Sequence, residues 1–104
     1  MTHAHTTELD ALVGSASHRL DALRETNERL DRIRVRVTSP DNVVTVVADG
    51  SGAMVELELA ENLGSIAADT LASTITDTAA QAAAAAFDQR EEILQSLQAS
   101  FTDS

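Results

Sequence analysis

The hydrophobic period of this chain changes twice, and that restricts its fold more than any other feature. From the N-terminal side, Leu9, Val13, Ala16, Leu20, Leu23, Asn27 and Leu30 follow alternating steps of four and three, the spacing of one stripe on a helix. From Ile33 the period becomes two: Ile33, Val35 and Val37 alternate with Arg34, Arg36 and Thr38. Beyond Leu59 the spacing is helical again, with Leu71, Ile75, Thr78, Ala82, Ala86, Ile93 and Leu97 near one stripe. Helix, then strands, then helix within 104 residues is the pattern of a single small α+β domain. The three period-two segments argue against an isolated helical hairpin.

The spacing predicts a first helix over 7–32, with Thr6 or Thr7 as N-cap. Residues 1–6 carry no period and are expected to be a disordered N-terminus, leaving one domain over 7–101. Gly14 costs that helix about 1 kcal/mol relative to alanine. Strands are expected over 33–38, 43–48 and 53–59. Ser39-Pro40-Asp41-Asn42 and Asp49-Gly50-Ser51-Gly52 supply the turn chemistry between them. A loop at 39–42 would set Thr38 opposite Val43, Arg36 opposite Thr45 and Val35 opposite Val46. A turn at 49–52 would set Ala48 opposite Ala53, Val46 opposite Val55, and Val44 opposite Leu57.

One sheet face then reads Val35, Val37, Val44, Val46, Val55 and Leu57, uniformly apolar and suited to cover by helices. The other reads Arg34, Arg36, Val43, Thr45, Val47, Met54, Glu56 and Glu58. Its apolar middle, Val43, Val47 and Met54, is the expected contact with a second chain. A final helix is expected over about 65–101. Thr70, Ser73, Thr74, Thr76 and Thr78 weaken its start, so a break near 66–72 enters the expectation. The run Ala82–Ala86 reads either as close backbone approach or as simple helix propensity.

Composition sharpens this reading. Of 45 apolar residues 18 are alanine, and the only aromatics are Phe87 and Phe101. A lone chain therefore has a thin core, and self-association is expected. Without cysteine there is no disulfide framework, thiolate metal site or cysteine nucleophile. No apolar run reaches the roughly 18 residues of a membrane span, and the start of the chain lacks a signal-peptide pattern. Without Trp or Tyr there is no aromatic platform for stacking single-stranded bases.

The formal charge is −10, yet it is segregated. All seven bases are arginine, and Arg19, Arg24, Arg29, Arg32, Arg34 and Arg36 lie within 18 residues. With four acids among them that segment carries +2, leaving −12 for the rest of the chain.

The segment Val44-Thr45-Val46-Val47-Ala48-Asp49-Gly50-Ser51-Gly52-Ala53-Met54-Val55-Glu56-Leu57-Glu58-Leu59 resembles the YbaB/EbfC family of bacterial nucleoid-associated proteins. There a V-x-V strand meets a Gly-containing turn, and an alternating strand leads to a final helix, here marked by Leu71, Ile75 and Ala82. The resemblance covers about residues 8–98. It implies a tweezer-like homodimer with central sheets and projecting helices, binding of double-stranded DNA with little sequence preference, and no catalysis. The chain departs from the pattern in three places. Its first helix uses Leu and Arg instead of the family's Met, Gln and Lys, Ala80 stands where members often carry asparagine, and Arg90 is the one base of its last helix. Actinobacterial relatives also include proteins encoded with specialised secretion systems.

Each candidate constellation has two readings. The six arginines are either a solvated helix paired to its own acids, at Arg24–Glu28, Glu25–Arg29 and Glu28–Arg32, or a patch that contacts phosphates. Asn27 either sets the register of a buried seam or marks its end. His3 and His5 provide two ligands, too few for a structural metal site, and His18 reads as a surface residue. Glu56 with Glu58, and Glu91 with Glu92, lack the nucleophile and pocket that carboxylate catalysis needs. The expectation is a non-enzymatic cytoplasmic nucleoid protein without cofactor or metal. As a homodimer it binds double-stranded DNA weakly and in a salt-dependent way through the six arginines. The alternative is an acidic protein-interaction or scaffold dimer of the same fold, for example secretion-associated.

Overall fold

The computed structural model describes residues 2–102, with side chains from residue 7 onward. The order is α1 (Thr2–Asp31), β1 (Arg34–Thr38), β2 (Val44–Asp49), β3 (Met54–Leu59) and α2 (Ala68–Thr102). The α+β architecture, with two long helices around an antiparallel meander, is as the periodicity implies. α1 begins at Thr2 rather than Thr7, so a segment expected to fray continues the helix. Neither Pro nor Gly interrupts it there, and extending a formed helix costs little per residue. α2 runs unbroken from Ala68. The hydroxyls of Thr74, Thr76 and Thr78 donate to the carbonyls of Thr70, Ala72 and Thr74, at 2.9, 2.9 and 2.7 Å. Bonded to the preceding turn, they do not compete for the backbone and do not break the helix.

The sheet order is β1-β2-β3, with both pairs antiparallel. The register differs from expectation by two residues: Thr38 faces Thr45, Arg36 faces Val47 and Val35 faces Ala48. The cause is Ser39. Its N–H donates to the Val44 carbonyl (2.8 Å) and its Oγ accepts from the Val44 N–H (3.0 Å), so Ser39 extends the ladder and the four-residue loop becomes 40–43. Asn42 takes a left-handed φ of 61° within it, a conformation asparagine tolerates.

In the second hairpin one oxygen of Asp49 accepts from the Ser51 N–H, the Ser51 hydroxyl and the Ala53 N–H, at 2.9, 2.6 and 3.1 Å. A bulge follows: Val47 faces Glu56 but Ala48 faces Met54, leaving Val55 as the extra residue. Because the register slips by two, the two faces of β1 and β2 keep their sides. The bulge corrects β3: Met54 stands opposite the buried Ala48, on the side of Val35, and not on the mixed face.

α2 packs across β1 and β2. Its residues Thr78, Ala82 and Ala86 are buried against Val44, Val46 and Ala48, with Ile33 and Ile93 closing the core. Ala82 and Ala86 are fully buried while Ala80 and Ala84 are exposed, so one stripe of the alanine run is a close-approach surface. β3 lies beyond this cover, and Met54, Val55, Leu57 and Leu59 remain exposed.

The C-terminal half of α1 lies against the C-terminal half of α2. Thr26 is buried there, and Leu23 and Leu30 border a groove with Leu94 and Leu97. Residues 7–21 of α1 extend past the end of α2 with every side chain exposed. The molecule is accordingly a rod of 83 × 19 × 15 Å with a radius of gyration of 22.2 Å, against about 13 Å for a compact chain of this length.

Candidate nucleic-acid interface

The six arginines do not converge on one surface. At 100° per residue, Arg19, Arg24 and Arg29 lie on three different sides of α1, with Arg29 bordering α2 near Ser96 and Ser100, and Arg32 stands just past the end of the helix. None of the expected i,i+4 pairs forms. The one ion pair on α1 among the described residues is Arg24–Asp21, at 4.0 Å and widely exposed. Exposed pairs of this kind gain too little to overcome side-chain entropy. Arg19, Arg29 and Arg32 make no ion pair among the described residues and are open to a phosphate.

Arg34 and Arg36 are held differently. Nη1 of Arg34 donates to the carbonyls of Ile33 (2.7 Å) and Asp31 (3.3 Å), at the C-terminal end of α1, where the helix dipole favours a cation. Arg36 crosses the face of β2 to β3, where Nη2 donates to Glu58 Oε2 at 2.6 Å and Nη1 stands 4.0 Å from Glu56 Oε2. Val47 lies between Arg36 and Glu56 in the ladder and is buried beneath this bridge. The two carboxylates occupy the positions that phosphate oxygens would take on Arg36.

Arg90, the one base of the last helix, is not among the six arginines expected to contact phosphate. The fold places it beside Arg34 at a cleft of about 380 Å³ that Asn27, Asp31, Asp49 and Ser51 also line. The signal that could have revealed this is antiparallel packing of the helix ends, which brings residue 90 level with residue 27. Asn27 itself lines this cleft and the neighbouring groove, where the seam passes under α2. His18 is exposed, while His3 and His5 lie outside the described side chains. Of the residues expected at a dimer contact, Val43 is half-buried against the core, Val47 lies under Arg36 and Met54 is exposed.

Two turn carboxylates are tuned by hydrogen bonds. Asp41 is held below the usual carboxylate range chiefly by the Ser39 hydroxyl, then by the Val43 N–H. Asp49 is lowered chiefly by the Ser51 hydroxyl, with the Ser51 and Ala53 N–H groups and Arg34 adding to it against a desolvation penalty. Both act on the hairpins and hold them in register. No described helix is long and apolar enough to cross a membrane.

Two long helices around a three-stranded antiparallel meander define a small α+β protein. The profile of the YbaB/EbfC DNA-binding family matches residues 6–101, and the chain belongs to that family. No curated protein matches it individually.

Proposed function

We propose that this protein binds double-stranded DNA as a homodimer, through phosphate contacts with little sequence preference, in the bacterial nucleoid. The observation that carries the reading is the family match over nearly the whole chain. Within that frame, Arg19, Arg29 and Arg32 are the primary phosphate contacts. Arg24 is secondary, and Arg34 and Arg36 contribute only when their present partners let go. The homodimer is supported by the large apolar side chains left exposed on α1 and β3.

Contacts to phosphate alone carry no base information, which fits weak sequence preference. Three open arginines per chain give six per dimer, so the logarithm of affinity should fall against the logarithm of salt with a slope of up to about −5. Fluorescence anisotropy with a labelled duplex at low and moderate salt measures it. Arg19→Glu with Arg29→Glu and Arg32→Glu should abolish binding while the fold and oligomeric state persist. Wild-type protein that binds no duplex at low salt would refute the reading.

The Arg36 bridge favours one second reading. With Arg36 engaged by two carboxylates and −10 overall, the same fold suits an acidic dimer that takes a protein partner, such as a secretion component, without significant DNA binding. Under that reading the triple variant behaves like wild type.

A further inference from the structure

The cleft beside Arg90 is built from separate parts of the chain. Asn27, Leu30 and Asp31 come from α1, Arg34 from the start of β1, Asp49, Gly50 and Ser51 from the β2–β3 turn, and Arg90 from α2. We propose that this cleft is a phosphate-binding site, in which Arg90 makes the contact and Arg34 lends its charge. The proposal goes beyond the DNA reading, because the phosphate can belong to a small ester as well as to a duplex.

The first observation is that Arg90 is unengaged. Among the described residues it makes neither an ion pair nor a hydrogen bond, so its whole fork of N–H donors is open to a ligand. A guanidinium in that condition can hold two phosphate oxygens in parallel bonds. The second is that Arg34 is already fixed at the same cleft. Its Nη1 donates to the carbonyls of Ile33 and Asp31 at 2.7 and 3.3 Å, so its charge stays there without further ordering on binding. Two guanidinium groups bordering one space repel each other, and an anion between them replaces that repulsion with attraction.

The third is that the acids of the cleft do not take the anion's place. One oxygen of Asp49 serves the turn, accepting from the Ser51 N–H, the Ser51 hydroxyl and the Ala53 N–H. Asp31 makes no ion pair with either arginine. The walls are also set before a ligand arrives. A Cβ at Gly50 would lie 3.1 Å from the Leu30 carbonyl oxygen and 3.2 Å from Ile33 Cδ1, so the turn already rests against the end of α1. A cleft of about 380 Å³ is at the small end of ligand pockets and takes a phosphate with its sugar.

Both arginines are exposed, so a small ester should bind with an affinity on the order of millimolar. Nuclear magnetic resonance of the full chain at low salt reads the site directly. Adenosine monophosphate should move the amide signals of Gly50 and Ser51, and adenosine, which lacks the phosphate, should not. Arg90→Gln should weaken this binding at least about tenfold, as loss of a charged hydrogen bond does. Asp31→Asn should instead tighten it roughly threefold, because it removes a like charge beside the ligand. A titration with a short duplex identifies the source of the phosphate. Movement of the same two amides, reversed by adenosine monophosphate, supports the site with DNA as its ligand. A duplex that binds without moving them, while adenosine monophosphate does, supports the site with small esters as its ligands. The proposal is overturned if neither ligand moves these amides, if adenosine moves them equally, or if Arg90→Gln leaves the shifts unchanged. Duplex binding that persists in that case leaves the DNA reading standing. Shifts with adenosine monophosphate in a chain that binds no duplex remove the DNA reading and leave the cleft.

Discussion

Arg36 shows at the level of one residue why counting charges along a chain gives an incomplete picture. It sits two positions from Arg34 on the same sheet face, which made the two look alike. Yet Glu58 holds Arg36 at 2.6 Å while Arg34 turns back to the end of α1. The identity of that carboxylate depends on the register of β3, which a bulge resets. Gly52 is a second residue whose role depends on tertiary geometry. Its φ is +81°, and a Cβ there would lie 2.6 Å from the Phe87 ring. Gly52→Ala should therefore cost about 1–2 kcal/mol for the left-handed conformation alone, and more if Phe87 is displaced. Thermal melting by circular dichroism should show a fall of at least about 5 °C. The Gly-containing turn was legible in the sequence. The ring pressed against it was not, because Phe87 is 35 positions away on another element.

Among the elements, α2 was the most legible, and its alanine run shows how a period resolves an ambiguity. Within the run 82–86, Ala82 and Ala86, four apart and in phase with Thr78, are the two that are buried in the core. Ala86→Leu should overfill a site with no free surface and destabilise by about 1–3 kcal/mol, whereas exposed Ala84→Leu should be close to neutral. Urea denaturation of the two variants makes the comparison. The strands were legible as strands, and β1 and β2 kept their faces. Their register was not, because Ser39 uses its hydroxyl to stand in for a backbone acceptor and so joins the ladder. A propensity argument treats serine before proline as turn. β3 looked half-buried from its alternation. Its alternation is real, but the surface that would cover it lies outside the helix-packed half of the sheet.

For the whole molecule, helix lengths gave the order of elements but not their offset. The seam on α1 reads as uniform from Leu9 to Leu30, yet only its C-terminal half meets α2, since the position where two helices dock is set by the loops and sheet between them. The acid limit of stability is another property of the whole fold. Asp41 and Asp49 hold the two hairpins, and both have pKa values lowered in the folded state. Their contribution is therefore present above the unfolded carboxylate pKa of about 3.9 and is lost as pH falls through the lower folded values. The melting temperature should drop as pH falls below about 4, and Asp41→Asn with Asp49→Asn should flatten that drop while lowering stability at neutral pH.

α2 is one uninterrupted helix that carries the sheet on its first half and α1 on its second. Between these two loads there is no joint: no proline, no glycine and no break at which one could swing relative to the other. A chain built this way does not flex between its two loads. In the proposed dimer, adjustment to a bent or straight duplex would then come from rotation between subunits, or from the stretch of α1 that extends past the end of α2.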